Sequence, residues 1–228
     1  PSPSSRASSR LPIIPDNYIS YDDNRFKSAT GEYAVPRLNF DNVDKIMKAA
    51  HEKGVKLRGH TLVWHQQTPK YFFQQNYKIT TGQKYNTSKE CMDTRLEFYV
   101  KTVMNHVLSS EYADCLYSYD VVNEYLHSAN AEKDSKNITY WGLIYGTYDK
   151  SVKDHGVTLR PSYVKDAFKY AHEMLVKYDR LDVKLIYNDY NCYQNPENII
   201  HLVDYINSEG KVCDGIGMQS HLDITDSF

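Results

Sequence analysis

Four apolar segments of strand length, each preceded by a helical pattern, constrain the fold of this chain more than any other feature of its sequence. The helical patterns cover residues 39–54, 88–109, 161–178 and 196–210, and the apolar segments cover residues 55–65, 115–124, 182–191 and 212–222. Helices that alternate with short apolar strands are typical of a parallel sheet covered by helices. We therefore predict an α/β protein. In the first helix, Asp41 or Asn42 suits the N-cap position, and Gly54 is predicted to end the helix.

Two architectures fit this alternation, the open doubly wound sheet and the closed (β/α)8 TIM barrel. No GxGxxG or GxxxxGK[ST] motif follows a strand, which argues against the dinucleotide-binding form of the open sheet. All four strands instead end in polar or titratable residues, at positions 60–65, 123–124, 188–191 and 219–221. Barrel enzymes place their chemistry at this end of the strands. We therefore predict a barrel, of which the sequence shows four strands.

The charge balance argues against several classes of partner. The chain has 27 Lys and Arg against 29 Asp and Glu, a net charge of -2, and no run of like charge. Nucleic acids and anionic membranes bind basic patches, so we predict neither as a partner. No stretch approaches the roughly 20 apolar residues that span a bilayer. A small neutral substrate fits this composition better.

The beginning of the chain and the cysteines give two further expectations. Residues 1–10 are rich in Ser, Pro and Arg and have no apolar core, so we expect a linker or disordered arm rather than a signal peptide or anchor. Residues 11–228 then form one catalytic domain. The four cysteines lie far apart without a CxxC motif, so we expect no zinc site, and nothing in the sequence indicates another metal or a cofactor.

Glu124 is the leading candidate for a proton donor because it directly follows an apolar strand. A carboxyl group in an apolar site loses solvation, and this loss favours its protonated form. A carboxylate that pairs with a neighbouring loop is the alternative. Asn123 favours the catalytic interpretation, since its amide can bind a sugar hydroxyl. An asparagine at this position also suits a turn.

Alternation along a strand predicts which side chains share a face. The predicted groups are His60 with Leu62 and Trp64, Asp120 with Val122 and Glu124, and Gln219 with His221. The polar members have structural interpretations as well. A strand histidine is commonly a hydrogen-bonded structural residue, and a strand tryptophan a core residue, although a tryptophan near a barrel mouth suits stacking against a sugar. The last pair suits hydroxyl recognition, the orientation of a carboxylate, or a structural network.

Further polar and aromatic residues lie near the strand ends. Tyr71, Tyr125 and Tyr190 are candidates for lining a polysaccharide groove. Asp189 and Asp223 are candidates for a second catalytic carboxylate, with loop capping as the alternative.

Four motifs carry a resemblance to a known family. "LRGHTLVWHQQTP", "YDVVNE", "IYNDYN" and "DGIGMQSHL" occur in this order and closely resemble consecutive strand motifs of glycoside hydrolase family 10, the retaining endo-1,4-β-xylanases. The resemblance runs from about residue 35 to the last residue. It implies a (β/α)8 barrel that cleaves the xylan backbone with retention of configuration.

The resemblance also implies roles for individual residues. Glu124 matches the general acid/base, and Asn123 matches the asparagine that holds the 2-hydroxyl of the sugar being cleaved. His60 and Trp64 match positions that bind the same sugar. The remaining matches are Gln219, which lines the site, His221, which orients the nucleophile, and Tyr190, on the leaving-group side.

Two parts of the family pattern are not matched. The family begins with two strands, the second of which ends in an "ENEMK"-like motif, and residues 1–34 contain no such motif. The family's nucleophilic glutamate lies in an "ITE"-like motif beyond "QSHL", and Asp226 after "DIT" does not qualify as its equivalent. The sequence thus resembles strands three to six of a barrel that is incomplete at both ends in this chain.

We therefore predict an endo-1,4-β-xylanase that acts on xylan or xylo-oligosaccharides and is inactive as this piece, because its nucleophile is missing. The remainder of the barrel is expected from sequence outside this chain. The resemblance implies secretion and an extracellular location. A non-catalytic carbohydrate-binding module derived from such a barrel is the alternative.

Overall fold

The computed structural model describes residues 35–36, 38–77, 82, 87–128 and 139–221. The predicted arm at residues 1–10 lies outside the described residues, as do Asp223 and Asp226. The longer elements, in chain order, are α1 (Asp41–Glu52), β1 (Leu57–Trp64), α2 (Lys89–Ser109), β2 (Leu116–Asn123), α3 (Tyr140–Tyr145), α4 (Ser162–Lys177), β3 (Lys184–Asp189), α5 (Pro196–Ile206) and β4 (Gly215–Met218). Short 3-10 helices cover Lys70–Phe73, Gln75–Tyr77 and Ala113–Cys115.

The four strands form one parallel sheet in the order β1-β2-β3-β4. This confirms the parallel sheet that the alternating sequence pattern predicts. Strands that pair with their sequence neighbours, each joined by a helical connection, have the arrangement of four adjacent strands in a (β/α)8 barrel. In such a sheet all four carboxyl ends lie along one edge, which is where a site can be assembled.

The helix boundaries follow local capping signals. At α1 the predicted N-cap is wrong by one or two residues, because Phe40 occupies the cap position and Asn39 Oδ1 accepts from the Asp41 N–H at 2.9 Å. Gly54 follows this helix with a φ of 65°, in agreement with the predicted stop. At α2, Ser88 accepts from the N–H of Cys91 at 3.1 Å, a side-chain cap of the usual kind.

The core lies between the sheet and the helices. Helix α2 packs against α4, and α4 packs against β2. Trp141 is buried and stacks on Tyr163 with a centroid distance of 4.9 Å, so it has a packing role. All four cysteines are buried free thiols. Within the described ranges, no helix is long and apolar enough to cross a membrane.

Two strands depart from regular pairing at the same level of the sheet. The register between β1 and β2 shifts between His60 and Val63, and the register between β2 and β3 shifts between Asp120 and Val122. Such irregularities insert an extra residue into one strand and re-aim the side chains that follow. The His60–Thr61 peptide bond, which lies in the irregular part of β1, is cis.

Candidate active site

Glu124 directly follows β2 and is only 6% exposed. Its φ of 55° lies in the left-handed region, which costs a residue with a side chain about 1–2 kcal/mol. Its N–H donates to the carbonyl oxygen of Asn188 at 2.8 Å. The predicted acid therefore stands at the carboxyl edge of the sheet, in a backbone conformation that a hydrogen bond to β3 stabilises.

The Glu124 carboxyl group accepts two hydrogen bonds from side chains of other strands. The indole Nε1 of Trp64 donates to Oε2 at 2.9 Å, and the amide Nε2 of Gln219 donates to Oε1 at 2.8 Å. Each carboxyl oxygen thus has its own donor, and the two donors come from the ends of β1 and β4. The two hydrogen bonds fix the plane of the buried carboxyl group, because their donors come from strands on either side of β2.

Asn123 is the last residue of β2 and is almost completely buried. Its Oδ1 accepts from Asn188 Nδ2 at 2.8 Å and from Gln219 Nε2 at 3.1 Å. Its Nδ2 has no hydrogen-bond partner within the described ranges. Because an unpaired buried donor costs about 1–3 kcal/mol, a ligand oxygen at this point would stabilise the site.

Gln219 contacts the side chains of both Asn123 and Glu124, although strict alternation would send these two neighbours to opposite faces. The left-handed backbone at Glu124 accounts for this, since the chain leaves the strand geometry there. The result is a carboxyl group and an amide group side by side.

His60 belongs to a second polar group, which is centred on the buried carboxylate of Asp120. His60 Nδ1 contacts Asp120 Oδ2 at 2.8 Å, and Arg58 Nε donates to Asp120 Oδ1 at 2.8 Å. A carboxylate accepts only, so it fixes the proton of the imidazole on Nδ1 and leaves Nε2 for another partner. The His60 ring centroid lies 6.1 Å from that of Trp64, so both predicted sugar-binding residues share one region.

The predicted alternation is wrong at Val122. Asp120 pairs with Ile186 and Val122 pairs with Tyr187, and these consecutive residues of β3 point to opposite faces of the sheet. The register shift between Asp120 and Val122 therefore turns Val122 away from the face of Asp120. His60 and Asp120, which precede the shifts, face each other as paired residues of β1 and β2.

Tyr190 stacks on His127, with ring centroids 3.8 Å apart and an interplanar angle of 23°. His127 Nδ1 contacts Asp189 Oδ1 at 2.7 Å, and the N–H of Tyr190 donates to the same oxygen at 2.8 Å. Tyr187 donates its hydroxyl hydrogen to the other oxygen of Asp189. Both carboxylate oxygens of Asp189 therefore hold the stacked pair of Tyr190 and His127 and the hydroxyl group of Tyr187. These contacts agree with a structural role rather than that of a second catalytic carboxylate.

Two further predicted residues have other positions than expected. His221 is exposed, and its Nε2 contacts Gln219 Oε1 at 3.0 Å; both residues lie just beyond β4 rather than on it. Tyr125 does not line a groove, since it is 1% exposed and donates to the carbonyl oxygen of Thr158.

His65 is a further titratable residue near the site. Burial lowers its pKa by more than the nearby carboxylates raise it. In the part of the chain that the structure describes, no cluster of three or more His, Cys, Asp or Glu side chains could hold a metal ion.

This arrangement of residues agrees with a comparison against known families. The family model described as glycosyl hydrolase family 10 matches residues 17–227, which is most of the chain. The chain belongs to glycosyl hydrolase family 10. The family 10 fold is a (β/α)8 barrel, and the four described strands are part of it.

Individual family 10 proteins share clear similarity with this chain. "Endo-1,4-beta-xylanase A" of Butyrivibrio fibrisolvens is 46% identical over 192 residues, which are 84% of this chain and 42% of that protein. A crystallographic structure of the N-terminal endo-1,4-beta-D-xylanase 10B of Clostridium thermocellum, complexed with xylohexaose, has a TM-score of 0.64 and 30% identity, and the match covers 86% of this chain and 36% of that one. Xylanase B of Clostridium stercorarium has a TM-score of 0.59 and 29% identity, with coverages of 84% and 51%. The chain thus spans about half or less of the length of these relatives.

Two residues of the family 10 site have no predicted role in the sequence analysis. Arg58 reaches Asp120 and Asn188, and His127 supports Tyr190. Arg58 could have been found from the sequence, because it is a cation two residues before His60 on the same strand. His127 lies in a loop, where strand alternation does not predict where a side chain points.

Proposed function

We propose that this chain forms the acid/base part of an endo-1,4-β-xylanase that hydrolyses β-1,4-xylosidic bonds of xylan with retention of configuration. The observation that carries the proposal is the Glu124 carboxyl group, held by Trp64 and Gln219 beside the amide Nδ2 of Asn123, which has no partner among the described residues. The 46% identity to a protein named endo-1,4-beta-xylanase A supports the substrate class.

The proposed mechanism is a double displacement. Glu124 gives its proton to the glycosidic oxygen as the bond to the anomeric carbon breaks and a second carboxylate attacks that carbon. Glu124, now ionised, then takes a proton from water, and the hydroxide released displaces the second carboxylate and frees the sugar. Asn123 Nδ2 donates to the 2-hydroxyl of the reacting sugar, and His60 and Trp64 bind the same sugar. Tyr190 borders the leaving-group side.

Retaining hydrolysis needs a second carboxyl group about 5–5.5 Å from the first. Asp120 is held by Arg58 and His60, and Asp189 by His127 and Tyr187. Both buried carboxylates are therefore committed to other contacts. We propose that the nucleophile lies outside the described residues, that His221 orients it, and that the 228-residue chain alone releases no sugar.

We also propose that the protein acts outside the cell. A polymeric substrate cannot enter a cell intact, and the resemblance to family 10 points the same way. Xylan or a xylo-oligosaccharide is the proposed ligand.

The test compares the chain with a chimera that adds the remaining barrel strands of the Butyrivibrio fibrisolvens relative. Reducing-sugar release from soluble xylan is measured for both, with Glu124→Gln as the test variant and Glu52→Gln, on an exposed helix face, as the matched control. We expect activity in the chimera alone, retained in Glu52→Gln and reduced at least a thousandfold in Glu124→Gln. A well-folded chimera that binds xylohexaose without hydrolysing it would instead favour the carbohydrate-binding module.

A further inference from the structure

A chain of two hydrogen bonds leads from Arg58 of β1 through Asn188 to Asn123. In both bonds the donor is the residue nearer to Arg58. Arg58 donates through a terminal guanidinium nitrogen to Asn188 Oδ1 at 3.0 Å. Asn188 Nδ2 in turn donates to Asn123 Oδ1 at 2.8 Å. Asn123 Nδ2 is left without a partner in the described part of the chain. Each amide thus has its oxygen on the side of Arg58 and its nitrogen on the opposite side.

The direction of these two hydrogen bonds follows from the chemistry of arginine. A guanidinium group donates and never accepts, so the atom of Asn188 that faces it has to be the oxygen. The nitrogen of Asn188 then faces Asn123, which has to present its own oxygen. A reversed Asn123 amide would bring two NH2 groups together and leave a buried donor unsatisfied, at a cost comparable to a lost hydrogen bond.

We propose that Arg58 is a positioning residue that acts through Asn188 to fix the Asn123 amide with Nδ2 toward the ligand. The site then selects a sugar hydroxyl that accepts a hydrogen bond at this point. The ligand part of the inference rests on the proposed function, whereas the orientation of the amide does not.

The position of Arg58 is itself fixed by its surroundings. Asp120 is 3% exposed at its side chain and pairs with the guanidinium group at 2.7 Å, so the cation is held against a buried charge. On the other side lies Gly217 of β4, where a Cβ atom would come within 2.2 Å of an Arg58 nitrogen and 2.4 Å of Asn188 Oδ1. Only a glycine leaves room for the Arg58–Asn188 pair at this position.

The first test is Asn188→Asp, which changes one NH2 group to an oxygen without changing the shape of the side chain. The new carboxylate still accepts from Arg58 but repels the Asn123 oxygen, and the remaining donor to that oxygen, Gln219 Nε2, lies at 3.1 Å. We therefore expect the repulsion to prevail and the Asn123 amide to reverse. NMR of the ligand-free chain reads this out as a downfield shift of the Asn123 side-chain NH2 signals. Asn105→Asp is the matched control, because Asn105 Oδ1 accepts from Lys177 and Tyr178 and an aspartate at this position keeps both bonds. Unchanged Asn123 signals in a folded Asn188→Asp variant would overturn the inference.

The second test measures selectivity. Calorimetric binding of xylobiose to the completed chimera is compared with binding of xylobiose that lacks the 2-hydroxyl on its reducing-end sugar. One neutral hydrogen bond corresponds to a preference of about three- to tenfold in the unmodified chimera and in Asn105→Asp. We expect a preference below about twofold in Asn188→Asp. An unchanged preference would overturn the ligand part of the inference.

Gly217→Ala provides a variant in which every polar group of the two hydrogen bonds remains. The added methyl group displaces Arg58 and Asn188, so we expect broadened or doubled Asn123 NH2 signals and a reduced preference for the hydroxyl. Gly215→Ala is the control on the same strand, where the Cβ atom meets only Ile186 at 3.4 Å. If the completed chimera binds neither sugar, the proposed function fails, while the NMR signals of the ligand-free variants still decide whether Arg58 orients the amide.

Discussion

The indole nitrogen of Trp64 lies 2.9 Å from Oε2 of Glu124, and this hydrogen bond joins the carboxyl ends of β1 and β2. Among the described residues, the bond is one of two side-chain hydrogen bonds to the proposed acid. In the step in which Glu124 is ionised, a hydrogen bond to the charged group contributes about 1.5–3 kcal/mol.

Trp64→Phe removes this donor and keeps an aromatic ring. Because Gln219 is then the one remaining side-chain donor to the carboxyl group among the described residues, we expect kcat/KM on xylan to fall about 10- to 100-fold in the completed chimera. Trp141→Phe is the control, since its indole donates to Thr68 in the aromatic core rather than to the site. Equal rates for the two variants would contradict the proposed role of the Trp64–Glu124 bond.

Gly59→Ala should destabilise the sheet. A Cβ atom at this position would lie 2.4 Å from the ring of Tyr119, well inside van der Waals contact. Overpacking of this kind costs about 1–3 kcal/mol, which urea unfolding measures directly. The double variant with Tyr119→Leu should recover most of the loss, because the ring is the obstacle. A loss that persists in the double variant would assign the effect to the backbone.

Acid should destabilise the fold partly through His155. Burial lowers the pKa of His155, and the neighbouring His127 lowers it further. The unfolded chain therefore binds a proton more readily, so the stability is fully present above the unfolded pKa of about 6.5 and falls as the pH drops through the lower folded value. In His155→Gln the loss of unfolding free energy between pH 8 and pH 5 should be smaller than in the unmodified chain. His201→Gln, on the exposed face of α5, should leave the loss unchanged.

Asp189→Asn should weaken the hydrogen bonds that hold Tyr190 and His127 in place. The carboxylate accepts from His127, Tyr187 and the N–H of Tyr190, and an amide has only one oxygen for these three donors. We expect the free energy of unfolding to fall by about 2–3 kcal/mol, measured by urea titration. Asp204→Asn makes the same change at an exposed position of α5 and should cost far less. Similar losses in the two variants would show that the buried network is not the cause.

Apart from the short helix α3, which lies in a connection between predicted elements, the order of helices and strands could be predicted from the sequence because apolar periodicity and capping residues are local signals. The same is true of Glu124 at a strand end, where an apolar run stops. Trp64 and Gln219 lie 60 and 95 residues from Glu124, and the sequence places them beside it only through the rule that parallel strands share their carboxyl edge.

The face of Val122 could not be predicted in this way. Alternation assumes regular pairing, and the register shift between Asp120 and Val122 has no local sequence signal. The left-handed backbone of Glu124 was equally unpredictable, since glutamate is not a residue that favours it. The role of Arg58 depends on Asn188, 130 positions away, and only the folded sheet brings the two together.

The four buried cysteine thiols can report local unfolding of this protein, because each becomes accessible to reagents only when its surroundings open. Burial raises the pKa of Cys192 and of Cys213 to about 11, and only the thiolate reacts quickly with alkylating reagents. Cys91 lies in α2, Cys115 just before β2, Cys192 after β3 and Cys213 before β4. Mass spectrometry of alkylated peptides would therefore time the local unfolding at four separate points of the sheet and its helices, with no label introduced.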